Sequence, residues 1–174
     1  GTIDLAVFDR MNEEFRVVFG DGTGGFSAPT TYPLGPFSIK HEVADLDRDG
    51  NPDIITSSVI DRRIVLFLGT GSGTFNTVQY PTFISPDGFG IADLDGDGRQ
   101  DILVGDAGDP TLRVLRGGAS ASNGTAGLLS EPIAVLAGVP SFNVLIADLD
   151  KDGRPDAVSQ PTGAAVHMLR NLSR

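Results

Sequence analysis

The chain has 174 residues, a net charge of −10 and no cysteine. Its acidity excludes nucleic acid and anionic membrane surfaces as partners, because no basic cluster exceeds the pair Arg62 and Arg63. The lack of cysteine excludes disulfide bonds, and no apolar run is long enough to span a membrane.

The predicted elements are short β-strands that recur in units of about fifty residues. The chain opens on "GTIDLAVF", and the second unit contains four apolar stretches of strand length: "HEVADL", "DIITSS", "RIVLFL" and "TVQYPTF". The third unit repeats the plan with "FGIADL", "DILVG", "LRVLRG" and "PIAVLAG", and the last contains "DAVSQ" and "AAVHMLR". Four strands per unit at this period predict an all-β, propeller-type array of four-stranded blades. A regular β-sandwich is the structural rival, but it does not need near-identical loops in every unit.

An acidic motif occurs once in each of the last three units. It reads "DLDRDGNPD" from Asp45, "DLDGDGRQD" from Asp93 and "DLDKDGRPD" from Asp148. Stepping back one unit from its last aspartate reaches Asp4, so the chain opens inside a fourth motif, as expected of a processed or excised piece. Twelve of the 23 acidic residues belong to the three complete motifs. One divalent cation in each motif would therefore reduce the net charge to about −4, which is ordinary for a soluble domain.

Each motif is predicted to wrap one calcium ion, about three in all. Calcium takes about six to eight oxygen ligands, and a tight loop supplies them from side chains at positions 1, 3, 5 and 9 and from the backbone carbonyl at position 7. Glycine at position 6 permits the sharp turn that closes the loop. The predicted ligands are Asp45, Asp47, Asp49, Asn51 and Asp53; Asp93, Asp95, Asp97, Arg99 and Asp101; and Asp148, Asp150, Asp152, Arg154 and Asp156, with Asn51, Arg99 and Arg154 contributing their carbonyls.

Other interpretations of the motif fit less well. An EF-hand needs flanking helices and a glutamate at position 12, where this chain has Thr56, Val104 and Ser159. Magnesium retains several waters and suits a ligand-rich loop less well than calcium, and carboxylate ligands do not favour a soft metal. Acidic turns without an ion would hold four carboxylates close together, three times over, at a Coulomb cost.

The motif and the turns that follow it resemble the FG-GAP or VCBS repeats of integrin α-subunit propellers, some fungal lectins and many bacterial surface proteins. The aspartate loop is paired with a glycine-rich turn that ends in an aromatic residue, "GDGTGGF" at Phe26 and "GTGSGTF" at Phe75. The third unit departs from this pattern with "GGASASNGTAGLL". The first unit lacks its opening three aspartates, so no complete site is predicted at Asp4.

The resemblance implies a blade in which the calcium loop joins the first and second strands. The whole chain, 1–174, is then one repeat domain with a partial blade at 1–38, complete blades at 39–86 and 87–140, and a partial blade at 141–174. About three and a half blades leave an open arc, because a ring generally needs at least four. Apolar end faces are therefore expected to pair with the rest of a longer chain, with a second copy, or in a filament.

The resemblance also implies an extracellular or cell-surface module for adhesion, ligand binding or surface assembly, with a protein or glycan ligand and structural calcium. A lectin-like propeller and a self-assembling filament subunit are the alternatives. No enzyme is predicted, because a catalytic carboxylate pair would occur once, whereas these aspartates recur in every unit. Asn123 and Asn171 begin glycosylation sequons, with Asn123 favoured because it lies in the long polar insert.

Overall fold

The computed structural model describes residues 3–82, 84–118, 128–136, 138, 140–161 and 166–171. Within those ranges every regular element is a β-strand. The first sheet contains β1 (Leu5–Asp9), β2 (Glu14–Val18) and β3 (Thr30–Pro33). The second contains β4 (Ser38–Ala44), β5 (Asp53–Ser58), β6 (Arg63–Gly69) and β7 (Phe75–Pro81).

The third sheet contains β8 (Gly88–Ala92), β9 (Asp101–Gly105), β10 (Thr111–Leu115) and β11 (Ile133–Leu136). The fourth contains β12 (Asn143–Ala147), β13 (Asp156–Gln160) and β14 (His167–Leu169). Within each sheet, strands that follow one another in the chain pair antiparallel, so every sheet is a simple meander. The predicted all-β array of blade-like sheets is therefore confirmed.

Successive sheets pack face to face, because their strands carry apolar residues on both sides. The core of the second sheet is formed by "IVLFL" of β6, whose Ile64, Val65, Leu66, Phe67 and Leu68 are all buried. Alternate residues of a strand point to opposite faces. Val65 and Phe67 accordingly join the cluster shared with the first sheet, while Ile64 and Leu66 join the cluster shared with the third.

The innermost strands of the three later sheets lie close together and are joined by a lysine. Lys40 on β4 extends its ammonium group to the backbone carbonyls of Phe89 on β8 and Val144 on β12, at 3.1 Å for Val144, and pairs with Glu42 at 3.0 Å. One side chain thus connects three blades near the centre of the array.

The strand before each aspartate loop ends earlier than the sequence indicates. "HEVADL" is predicted as one strand, but β4 spans Ser38–Ala44 and begins one residue before the predicted blade boundary at 39. The physical reason lies in Leu46, whose N–H donates to the carboxylate of Asp53 at 2.8 Å instead of to the sheet ladder. The end of the predicted strand therefore belongs to the aspartate loop and not to β4. The seventh strand also differs from the prediction: "TVQYPTF" is predicted, whereas β7 spans Phe75–Pro81.

Candidate metal centre

The three aspartate loops connect the first and second strands of their sheets, namely β4 to β5, β8 to β9 and β12 to β13. Their backbones turn alike. The glycine at position 6 has a φ of 88° in Gly50, 86° in Gly98 and 86° in Gly153, a conformation that glycine adopts at little cost. Position 4 is also left-handed, at 62° in Arg48, 77° in Gly96 and 62° in Lys151. The sequence does not reveal this second turn, because two of these residues are long cations.

Each loop gathers three carboxylates that could hold a metal ion. In every loop they come from positions 1, 3 and 9, and one oxygen of each lies within 4.8 Å of the other two. Oxygens around calcium lie about 2.3–2.6 Å from the ion, so opposite ligands are separated by about 5 Å. The spacing therefore fits a common cation. The three groups are Asp45, Asp47 and Asp53; Asp93, Asp95 and Asp101; and Asp148, Asp150 and Asp156.

The carboxylates at position 5 lie outside these groups and turn towards position 7. Asp49 accepts hydrogen bonds from both the backbone and the side-chain amide of Asn51, each at 2.8 Å. Asp97 accepts from the backbone N–H of Arg99 at 2.8 Å and also pairs with its guanidinium, and Asp152 accepts from the backbone of Arg154 at 3.0 Å. Coordination by position 5, and by the carbonyls of Asn51, Arg99 and Arg154, stays a prediction.

The aspartate at position 9 has a structural role that the sequence analysis missed. Asp53, Asp101 and Asp156 are buried, and one oxygen of each accepts from the leucine N–H at position 2 of the same loop, at 2.8, 2.8 and 3.1 Å. The other oxygen accepts from a backbone N–H just beyond the third strand of the sheet or at its end. Position 9 therefore ties the loop to the blade as well as offering a ligand.

The same tie identifies the incomplete first motif. Asp4 accepts from the N–H of Gly20 at 2.9 Å, as Asp53 accepts from Gly69 and Asp101 from Gly117. Asp4 therefore occupies position 9 of the first blade, where the repeat spacing places it. It does not belong to any three-carboxylate group among the described residues.

In the metal-free chain, burial raises the pKa of two of the three aspartates at position 9. It raises the pKa of Asp53 to about 6, against hydrogen bonds from Gly69 and Leu46 that lower it. Burial likewise raises the pKa of Asp101, with hydrogen bonds from Gly117 and Leu94 opposing. In the last loop, the hydrogen bonds from Asn171 and Leu149 to Asp156 lower its pKa instead. A bound cation would compensate the charge that burial disfavours at Asp53 and Asp101.

Arginines beside the last two loops offset part of the acidity. Arg116 approaches Asp95 at 3.6 Å, and Arg170 pairs with Asp150 in the equivalent position. The second blade has the buried Leu68 at this position, and burial raises the pKa of Asp47 there. The three clusters are thus alike in carboxylates and unlike in their surroundings.

A protein-family model, the FG-GAP-like repeat, matches the chain in three overlapping segments, 1–56, 45–104 and 93–159. Together these segments cover most of the sequence. The chain belongs to the FG-GAP-like repeat family. The second and third matches begin at Asp45 and Asp93, which open the first two complete loops. The resemblance drawn from the aspartate loops is therefore confirmed. A search of curated proteins finds no significant match.

Of the two sequon asparagines of this FG-GAP-like chain, the structure describes Asn171. Asn123 lies outside the described residues. Asn171 is half-buried, and its side-chain amide donates to the carbonyl of Leu94 at 2.8 Å, which links the fourth sheet to the loop of the third. Glycosylation of either residue stays a prediction. Among the residues that the structure covers, no helix has the length and apolar character needed to cross a bilayer.

Proposed function

We propose that this chain is a calcium-binding propeller-repeat module that works outside the cell, in adhesion or ligand binding, with calcium as a structural component. The proposal rests on one observation: a group of three aspartate carboxylates recurs at the same place in three successive sheets. Hard oxygen ligands on a loop that is anchored at position 9 suit calcium. Extracellular calcium modules bind at about 10⁻⁴–10⁻³ M, a concentration range found outside cells.

In this proposal calcium stabilises the fold and takes no part in a reaction. Each ion would bridge the loop and the start of the second strand through position 9, which is also hydrogen-bonded towards the third strand. Membership of the FG-GAP-like family supports an extracellular location. We propose no catalysis, because an active site is a single arrangement of residues, whereas the same three carboxylates recur at equivalent positions in each loop.

Ion counting by native mass spectrometry tests this proposal. The wild-type chain in calcium should carry three ions, and Asp95→Ala should carry two, because it removes one of the three grouped carboxylates of the third blade. Asp61→Ala is the matched control, since Asp61 is an acidic residue on the β5–β6 hairpin outside the three groups. It should retain all three ions. A full ion count in Asp95→Ala would show that Asp95 is not a ligand.

Sugar binding is a second candidate function, favoured by a groove at the opposite end of the inner strands from the calcium loops. The groove has a volume of about 670 Å³ and is lined by Phe37 and Phe142, which are both half-exposed, together with Arg10, Asp87 and Asn143. Aromatic faces pack against the apolar faces of sugar rings, while amide, carboxylate and guanidinium groups hydrogen-bond to hydroxyls. This combination supports a lectin-like role.

A glycan array with wild-type chain and Phe142→Ala tests the second candidate. Binding to at least one glycan should be lost in Phe142→Ala, while Phe26→Ala, which removes an exposed aromatic ring outside the groove, should bind as wild type does. Equal binding by all three chains would exclude the groove, and binding to no glycan would exclude the lectin-like role.

A further inference from the structure

The aspartate loops of the third and fourth blades are joined by one residue, Asn171, which lies just after β14. The side-chain amide of Asn171 donates a hydrogen bond to the backbone carbonyl of Leu94 at 2.8 Å. Leu94 is position 2 of the third-blade loop and lies between Asp93 and Asp95, two of the carboxylates that could hold a metal ion. The fourth blade therefore holds the peptide between two candidate ligands of the third blade.

The backbone of the same asparagine reaches the candidate site of the fourth blade. The N–H of Asn171 donates to Asp156 at 2.9 Å, and Asp156 belongs to the carboxylate group of that blade. At the other end, the N–H of Leu94 donates at 2.8 Å to Asp101, which belongs to the group of the third blade. A series of hydrogen bonds thus runs from one group to the other through Leu94 and Asn171. Its two ends are candidate ligands of different ions.

Glycine takes the place of Asn171 in the second and third blades. Gly69 and Gly117 donate their N–H groups to the position 9 aspartate of their own blades, as Asn171 does. A side chain at either glycine would collide with the backbone, because its Cβ would lie 2.4 Å from the carbonyl oxygen of Pro52 or 2.7 Å from that of Gln100. The third blade therefore has no side chain at this place to donate to the second-blade loop.

The third-blade and fourth-blade loops also face each other across a cleft of about 540 Å³. The cleft is lined by residues 93–96 of the third-blade loop, by residues 153–155 of the fourth-blade loop and by Asn171. Asn171 is half-buried there and is hydrogen-bonded to both sides. A change in one loop can therefore reach the other through this residue.

We propose, on the basis of the calcium function proposed above, that Asn171 is a positioning residue through which an ion in the fourth blade raises the calcium affinity of the third, and the reverse. When the fourth group is neutralised, its carboxylates no longer repel one another, and Asp156 becomes fixed. Asp156 then holds Asn171, and Asn171 holds the peptide of Leu94. The third group is thus ordered before it binds, and less ordering remains to oppose binding.

The contribution of Asn171 should be about fivefold in affinity, the effect of one hydrogen bond that depends on the occupancy of the neighbouring site. Linkage requires the same factor in both directions. Direct repulsion between the two cations opposes this coupling, but it acts equally with and without the amide of Asn171. A comparison of the two chains therefore isolates the hydrogen bond.

Calorimetric titration of calcium into chains with two remaining sites tests the proposal. Asp45→Ala removes a grouped carboxylate of the second blade and leaves the third and fourth sites, whose stepwise affinities are then measured together. Adding Asp148→Ala or Asp95→Ala leaves a single site and gives each affinity alone. The coupling factor is the ratio between affinities measured together and alone, so a change that only weakens one site cancels.

Asn171→Ala removes the amide and keeps the backbone N–H, and it should lower the coupling factor between the third and fourth sites by about fivefold. Asn12→Ala is the matched control, because the amide of Asn12 donates to Asp9 at the first hairpin, away from the loops. It should leave the factor unchanged. In an Asp148→Ala chain, which retains the second and third sites, Asn171→Ala should also leave their coupling unchanged, because the hydrogen bonds of Asn171 join the third and fourth blades.

The outcomes separate this coupling from the calcium function itself. Equal coupling factors with and without the amide, in chains that bind calcium at both sites, would overturn the role of Asn171 and leave the calcium function intact. No saturable calcium binding in any of the chains would overturn both. Circular dichroism checks folding, and Asn171→Gly, which introduces the residue found at this place in the second and third blades, replaces Asn171→Ala if that variant does not fold.

Discussion

Removing calcium should lower the melting temperature of this chain by on the order of 10 °C. A site held at ten times its dissociation constant stabilises the native state by about 1.4 kcal/mol. Three such sites contribute about 4 kcal/mol, and the melting temperature of a domain of this size changes by about 2–4 °C for each kcal/mol. Differential scanning calorimetry in calcium and in excess chelator measures the difference, and adding calcium back should restore the original midpoint.

The effect of chelation should depend on pH in a definite direction. The raised pKa of Asp53, about 6, means that the folded metal-free chain holds a proton there that the unfolded chain releases at its ordinary value of 3.8. The stability from this proton is present below pH 3.8 and is lost as pH rises through about 6. Calcium must displace the proton, so the difference in melting temperature between calcium and chelator should be larger at pH 7 than at pH 5. An unchanged midpoint on chelation at pH 7 would contradict the calcium proposal.

The second large effect is expected from Asp101→Ala, even in the absence of calcium. The Asp101 carboxylate is 1% exposed and accepts hydrogen bonds from the N–H groups of Leu94 and Gly117, at 2.8 and 2.7 Å. Removing the carboxylate leaves two backbone donors without this acceptor, and each unsatisfied donor costs about 1–3 kcal/mol of stability. This cost is partly offset because a buried charge is also removed. A net loss of about 2 kcal/mol is therefore expected in the free energy of unfolding, measured by urea denaturation in chelator.

Asp95→Ala is the matched control for this measurement. It removes a carboxylate from the same group, but Asp95 is only half-buried and contacts the blade through the solvent-exposed Arg116 at 3.6 Å, without the two backbone hydrogen bonds that Asp101 accepts. In chelator its unfolding free energy should stay close to that of wild type, whereas in calcium both variants should lose the ion of the third blade. Equal stability of Asp101→Ala and Asp95→Ala in chelator would mean that position 9 acts only as a ligand.

The sequence predicts the architecture well because the same order of strands, aspartate loop and glycine-rich turns recurs in successive units. The spacing of Asp4, Asp53, Asp101 and Asp156 places one sheet per unit, and the strands follow from apolar stretches between glycine-rich turns. Periodicity does not show where hydrogen bonds go. The N–H of Leu46 could join the sheet ladder or the Asp53 carboxylate, and only the folded loop shows that it donates to the carboxylate.

The candidate site was predicted in composition more than in geometry. The carboxylates at positions 1, 3 and 9 lie close together, while Asp49, Asp97 and Asp152 at position 5 turn to their neighbours at position 7. A linear motif cannot distinguish these orientations, because both place a carboxylate within reach of the same loop. Leu129 is a second residue whose place in the repeat the sequence does not reveal. It pairs with Gly117 as Phe75 pairs with Gly69, but the long insert before Leu129 hides this equivalence in the sequence.

Calorimetric titration of calcium into the chelator-stripped chain tests the central claim most directly. Three groups of carboxylates, each on an equivalent loop, predict a stoichiometry of three ions per chain at neutral pH. Binding should weaken at pH 5, because a proton then competes for Asp53. A titration with no saturable binding of calcium would contradict the account and would leave the three aspartate loops as acidic turns held by hydrogen bonds alone.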